Sequence, residues 1–455
     1  GPAGMAAAQA AAQQGVEVAL FDEQAQPGGQ IYRQVDASPL DDVALLGKDY
    51  RLGKPLVQAF RGAHLDYFPS SSLWYLDKTL QLGILRDGVS HSVKAQKVIL
   101  AGGAQERPMP IPGWQLPGVM GAGAAQILLK SAAMLPEDGV VLAGNGPLLL
   151  LLAWQYLQAG VVIKAILDTS PRGSRLKAMR HMPQALAASD YLWKGLRLML
   201  SIKLAAVPWY KHASNLQAEG EACLQAVNFH SGGKQHRLET ELLLLHQGVV
   251  PALHLAQAAD CALQWNPQQQ CWQAERDRWG QSSTPNVYLA GDGASIGGAR
   301  AAHLDGKLVG LQVAHDCGLL EAAQRDRLAK PVFAARDRHL AIRPFLDACY
   351  PPAQDMLVPA DDTMVCRCEE VSAGTVREVV EIGCRGPNQV KAFTRCGMGP
   401  CQGRFCASTV EQIIAHERGV GVEAVGRYSV RPPLKPVTLG QLAASSEAEL
   451  EIEHD

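Results

Sequence analysis

Six of the chain's eleven cysteines lie between Cys366 and Cys406. They stand as Cys366-Arg-Cys368-Glu-Glu370, a single Cys384, and Cys396-Gly-Met-Gly-Pro-Cys401-Gln-Gly-Arg-Phe-Cys406. Four thiolates on two short loops suit a 2Fe–2S cluster, whose potential depends on hydrogen bonds to its sulfurs. The glycines allow backbone N–H groups to approach those sulfurs. Cys366 and Cys368 form the firm ligand pair. Cys401 and Cys406 are the expected second pair, because Cys406 stands at a helix start. Cys396 and Cys401 have the same spacing, so that pairing stays open. Cys384 reads as a packed thiol, the commoner fate of a single cysteine. Structural zinc is the competing reading, but zinc more often takes Cys-x-x-Cys pairs, and the chain has none. An odd total, clustered late, argues against a disulfide framework.

A second kind of chemistry is written in glycine. Gly1-Pro2-Ala3-Gly4 matches the last four residues of a Gly-x-Gly-x-x-Gly turn, in which glycine lets backbone approach a pyrophosphate at a helix N-terminus. The first glycine and its leading strand are not in the sequence, so a truncated start is the expectation. An acid that could bind ribose hydroxyls belongs about 18 residues on, where Asp22 stands beside Glu23. Pro27-Gly28-Gly29-Gln30 follows. Ala101-Gly102-Gly103-Ala104 closes a strand, and so does Ala290-Gly291-Asp292-Gly293. A second turn, Gly144-Asn145-Gly146, carries Leu149 where glycine or alanine would allow close helix–strand packing, although Asp168 ends the following strand as an NAD-binding acid would. The favoured reading of that unit is a Rossmann-like shell that has lost NAD(P). No reactive cysteine pair accompanies these turns, since the first cysteine is Cys223; disulfide reduction is therefore not expected.

These turns need strands and helices to hold them. A helix over Met5–Gln14 leads to a strand over Val16–Phe21, and a further strand spans Lys97–Leu100. Prolines 108, 110, 112 and 117 mark a domain crossing. Strands over Val140–Ala143 and Val161–Leu167 flank a long apolar helix. Buried strands follow at Leu242–Leu245 and Val287–Ala290. The fold class is α/β, with two Rossmann-like domains and a small α-rich cysteine module. The boundaries are 1–112 and 247–320 for the first domain and 113–246 for the second. A connecting arm occupies 321–363, the cysteine module 364–416, and a tail 417–455 that packs across another surface or frays. Ser372 is the expected N-cap of a helix over Ala373–Ile382, and another helix follows Cys406.

Hydrophobic residues make up 47% and charged residues 19%, a composition that builds cores. With 42 Lys and Arg against 44 Asp and Glu, nothing points to nucleic acid. No secretory leader is expected, and no apolar run reaches the ~18 residues a membrane span needs, so a cytoplasmic location is expected. His181, His246, His303 and His315 stand singly, and no catalytic residue is assigned.

In order and spacing the glycine elements resemble the glutathione-reductase-like flavoproteins, which implies FAD. The cysteine module resembles bacterioferritin-associated-ferredoxin-like 2Fe–2S domains. Pro27-Gly-Gly-Gln-Ile-Tyr-Arg33, Arg107-Pro-Met-Pro-Ile-Pro-Gly113, Gly297-Gly-Ala-Arg-Ala-Ala302 and Val365-Cys-Arg-Cys-Glu-Glu370 stand in this order ahead of Cys396–Cys406. Together they resemble the FAD-containing α (A) subunits of opine oxidase, D-hydroxyproline dehydrogenase and hydrogen cyanide synthase. That resemblance implies a heteromeric dehydrogenase that oxidises an amino or imino acid at its C–N bond. It also implies two partners: an amino-acid-oxidase-like flavoprotein β (B) subunit, and a small ferredoxin-like γ subunit. The alternative is a stand-alone NAD(P)H-dependent flavin oxidoreductase.

Overall fold

The computed structural model describes residues 1–40 and 43–444; the Glu- and Ala-rich end of the expected tail lies outside them. The helix Pro2–Ala12 is built of small residues, and proline sits where a first-turn N–H needs no partner. Its small face allows backbone-to-backbone packing on the helix Ala299–Asp316. A Cβ on Gly306 would collide with Ala3 O, and one on Gly310 with Ala7 O. The parallel strands of this first domain form two separate pairs, Ala19–Phe21 with Asp66–Phe68 and Val98–Leu100 with Val287–Leu289.

The second domain is a five-stranded parallel sheet in the order Trp209–Lys211, Ile163–Asp168, Val140–Asn145, Leu243–Gln247, Val119–Gly121. Its central strands are buried along their whole length, as strands covered on both faces must be. The domains join through two antiparallel segments, Ala104–Glu106 and Val249–Pro251. Arg107 braces this junction. Its fully buried guanidinium donates to Gln247 O at 3.1 Å, Gln269 O at 2.6 Å and Gln270 O at 2.8 Å.

Residues 321–363, expected as a connecting arm, hold two substantial helices, Ala322–Leu340 and Arg343–Cys349. The first buries only Ala329 and Phe333, so its sequence carries a faint hydrophobic period. Cations compensate: Arg278 and Arg336 stack over Phe333, and Arg336 also pairs with the buried Asp305 at 3.2 Å.

In the cysteine module, Ser372 Oγ accepts from Thr375 N at 3.1 Å and caps the helix Ala373–Glu381. A helix from Ala407 to Arg418 starts directly after Cys406. Its buried Glu411 accepts from Trp272 Nε1 at 3.0 Å, fastening the module to the first domain's hairpin Leu263–Ala274. The tail turns back over the first domain, where Leu434 N donates to Trp74 O at 2.6 Å.

Arg107→Met would leave the buried Gln247 carbonyl and the part-buried Gln269 and Gln270 carbonyls without this donor. A loss of roughly 3 kcal/mol in unfolding stability is expected at ~1–3 kcal/mol per unsatisfied buried group, read as a lower urea midpoint. An unchanged midpoint would remove Arg107 from its bracing role.

Candidate functional site

The glycine elements, far apart in sequence, close on one another. A Cβ on Gly29 would lie 2.7 Å from Gly1 Cα, one on Gly4 3.3 Å from Ala101 Cβ, and one on Gly291 2.6 Å from Ala3 Cβ. Gly293 sits equally close to the chain, its Cβ position 3.0 Å from Gly103 N. Gly1, Pro2, Ala3, Gly4, Asp22, Glu23, Gly29, Gln30, Ala101, Gly102, Gly103 and Asp292 all line a single cavity of ≈ 2710 Å³. That exceeds the ~300–1,000 Å³ typical of small-ligand sites and gives room for a dinucleotide. Gly28 and Gly291 stand behind the wall and serve packing: a Cβ on Gly28 would collide with Tyr32 O.

Of the two candidate ribose acids, Asp22 Oδ1 accepts from Gln24 N at 2.9 Å, which fixes the carboxylate at the strand end. Glu23 is paired instead with Lys435 of the tail. Asp292 is half-buried at the cavity wall, and desolvation raises its pKa even though Gly297 N and Gly298 N both donate to Oδ1 at 2.9 Å. One residue of this wall gives no signal in the sequence. Lys130, 4% exposed, extends from the second domain's helix Ala122–Ala132 and donates to Gln126 Oε1 at 2.9 Å and to Gln30 O at 3.2 Å. No carboxylate accompanies it among the described residues, and burial, helped by nearby Arg33, lowers its pKa to about 7.

The second glycine turn is differently used. A Cβ on Gly144 would collide with His246 O, so glycine is required there by strand packing alone. Asp168 is occupied by Ser170 N at 2.9 Å, Arg175 at 3.2 Å and Trp209 Nε1 at 3.3 Å. The segment after the helix Arg343–Cys349 lies across the turn. Asn145 Nδ2 donates to Pro351 O at 2.8 Å, and Ala353 N donates to Gln247 Oε1 at 3.3 Å. His246, a lone histidine in the sequence, is buried and paired through Nδ1 with Glu106 Oε1 at 2.6 Å. Glu106 in turn accepts from Gly123 N at the start of the helix Ala122–Ala132. No sequence signal marks this pair, because only the domain junction joins the two residues.

The thiols sort into two groups. Cys366, Cys396 and Cys406 are buried, with sulfurs within 4.8 Å of one another. Cysteine spacing predicts Cys366 and Cys368 with Cys401 and Cys406. In the structure Cys368 and Cys401 are in hydrogen-bond contact with each other nearer the surface. Hydrogen bonds from the Cys396 and Cys406 thiols, then from Gly397 N and Glu369 N, hold the Cys366 pKa far below the ordinary thiol range. The same contacts push Cys406 up and Cys396 up to about 12. One stabilised thiolate among close thiols is donor chemistry suited to soft metal ions. Cys384 is buried in the module's apolar core.

The closing loop of the module touches the same cavity. Gln105 Nε2 donates to Arg404 O at 2.8 Å, His254 Nε2 lies 3.0 Å from Gln402 O, and Arg404 and Phe405 line the cavity wall.

Fold and site together define a two-domain dinucleotide-binding flavoprotein with an appended thiol module. Residues 1–315 match the pyridine nucleotide-disulphide oxidoreductase family, and residues 361–446 match the sarcosine oxidase A3 domain. The chain is 44% identical to the A-type subunit of opine oxidase from Agrobacterium tumefaciens, covering 97% of this chain and 90% of that protein. It is 30% identical to hydrogen cyanide synthase subunit HcnB of Pseudomonas aeruginosa, covering 96% and 95%. Among solved structures it resembles L-proline dehydrogenase from P. horikoshii, with a TM-score of 0.68 at 18% identity over 97% of this chain and 77% of that one. The chain belongs to the pyridine nucleotide-disulphide oxidoreductase family, in the branch of the A-type opine oxidase subunits, and is an FAD-dependent oxidoreductase. No helix among the described residues is long and apolar enough to cross a membrane.

Lys130 supplies a pH test. Its folded pKa of about 7 lies below the unfolded value of 10.5, so the unfolded chain binds more protons between these values. Stability must rise with pH from about 7 to 10.5. Lys130→Met is expected to flatten that rise and to stabilise the protein at pH 7, measured by urea unfolding across the pH range; a variant as pH-dependent as the parent would rule out a buried, discharged amine.

Proposed function

We propose that this chain is the electron-transferring subunit of a heteromeric dehydrogenase or oxidase that oxidises an amino or imino acid of the opine, D-hydroxyproline or glycine class at its C–N bond. The observation that carries this reading is that Arg404 and Phe405, within the Cys401–Cys406 loop, wall the same cavity as the nucleotide-binding turns. FAD would be held by Gly1–Gly4, Asp22, the Gly28–Gln30 loop, Ala101–Gly103 and Asp292. A 2Fe–2S cluster would be held by Cys366, Cys368, Cys401 and Cys406, and these four form two cross-loop contacts, Cys366 with Cys406 and Cys368 with Cys401. Cys396 is then a fifth thiol packed beneath, against Tyr428. Flavin supplies exchange between two-electron and one-electron transfer, and the cluster carries single electrons. The chain's own residues bind and orient. Arg404 places a cation beside Cys401, donating to its carbonyl at 3.2 Å, and Lys130 sets a buried donor against the Gln30 loop.

This reading takes an amino-acid-oxidase-like flavoprotein subunit as the partner and leaves room for a small ferredoxin-like one; the relatives are named as subunits. The reading does not use NAD(P)H as reductant: Asp168, the acid expected to meet an NAD ribose, is held by Arg175, and Asn145 of the second glycine turn donates to Pro351 O.

Full-length protein co-produced with its partner subunits should show flavin bands with broad iron–sulfur absorption, both bleached by D-hydroxyproline, an opine or glycine and neither by NADH. Protein free of iron and sulfide, or bleached by NADH alone, would refute the assignment. Cys401→Ser should abolish bound iron while Cys396→Ser retains it; the reverse result would move the fourth ligand to Cys396.

A further inference from the structure

The helix Ser189–Leu204 buries Leu198 and Ile202 on one side. At ~100° per residue, Trp193, Leu196, Leu200 and Leu204 fall in a stripe about 80° wide on the other side. They are 68%, 42%, 49% and 86% exposed. Arg197 and Lys203 border the stripe on either flank, both exposed and neither in an ion pair among the described residues. From 172 to 204 the chain carries seven Lys and Arg against one acid, Asp190, and that acid is paired with Arg300 at 2.9 Å.

An apolar stripe of this size with a one-signed border is uncommon on a surface left to water. Its position in the fold narrows what covers it. Trp193, Lys194 and Arg197 line the nucleotide cavity, so the stripe begins at that cavity's rim. Lys194 and Arg300 both pair with Asp49 of the first domain, which holds the helix rigidly against the body. From these observations we infer that the stripe is the docking surface for the flavoprotein partner subunit, which meets it with an apolar face bordered by carboxylates. This rests on the function proposed above. Electrons entering the cavity must come from a redox group brought to its rim, and a bilayer surface offers none there.

The test uses full-length chain co-produced with the amino-acid-oxidase-like subunit, and leaves the cavity-lining residues intact. Leu200→Glu/Leu204→Glu should weaken assembly at least tenfold in sedimentation velocity, with far-UV circular dichroism and flavin content unchanged. Lys203→Glu should give a smaller loss that shrinks as salt is raised. Assembly of the double variant at parental affinity would overturn the inference and leave the electron-transfer reading standing. So would a variant that still assembles but no longer floats with vesicles of phosphatidylcholine and phosphatidylglycerol. A parental chain that forms no complex at all would overturn both.

Discussion

Close approach of backbone to backbone is the constraint on which the rest of this molecule depends. Ala3 and Ala7 carbonyls lie where Gly306 and Gly310 would otherwise carry side chains, and Gly29 and Gly291 meet the first turn in the same way. Any Cβ at these points would push the helix Pro2–Ala12 outward. The helix would then carry its N-terminal N–H groups away from the cavity they face. Around the first turn the cavity is therefore walled by closely packed main chain.

The two Rossmann-like units have diverged in what their turns do. In the first, Gly1, Gly4, Gly29, Gly102 and Gly103 open onto the cavity. In the second, Gly144 accommodates the neighbouring strand, Asp168 is consumed by protein donors, and Pro351 accepts from the turn itself. A segment that belongs to neither domain by sequence thus lies against the second turn, whose Asn145 and Gly146 line the same cavity as the first. The same segment leads on to the cysteine module, so the contact with the second turn and the seating of the thiols beside the first share one stretch of chain. Arg107 and the Glu106–His246 pair hold the domain junction in the arrangement that makes both possible.

Much of this is legible in the chain. The parallel, doubly covered sheet is written in continuous apolar runs such as Val140–Ala143 and Leu242–Leu245. The cap at Ser372 and the helix after Cys406 follow from local chemistry that needs no tertiary context. The helix Ala322–Leu340 is hidden because cation stacking, rather than a hydrophobic face, holds it. Gly306 and Gly310 are equally silent, since a small residue within a helix announces a close neighbour only when the neighbour is known.

By itself, the sequence determined which residue types could cradle a nucleotide and which could bind a metal, because turn geometry and thiolate chemistry depend on residues adjacent in the chain. Only the tertiary structure decided that the Cys401–Cys406 loop walls the nucleotide cavity, that Lys130 reaches Gln30, and that Cys396 lies against Cys366 and Cys406. Those relations join residues whose separation along the chain carries no information about distance, and packing alone brings them together.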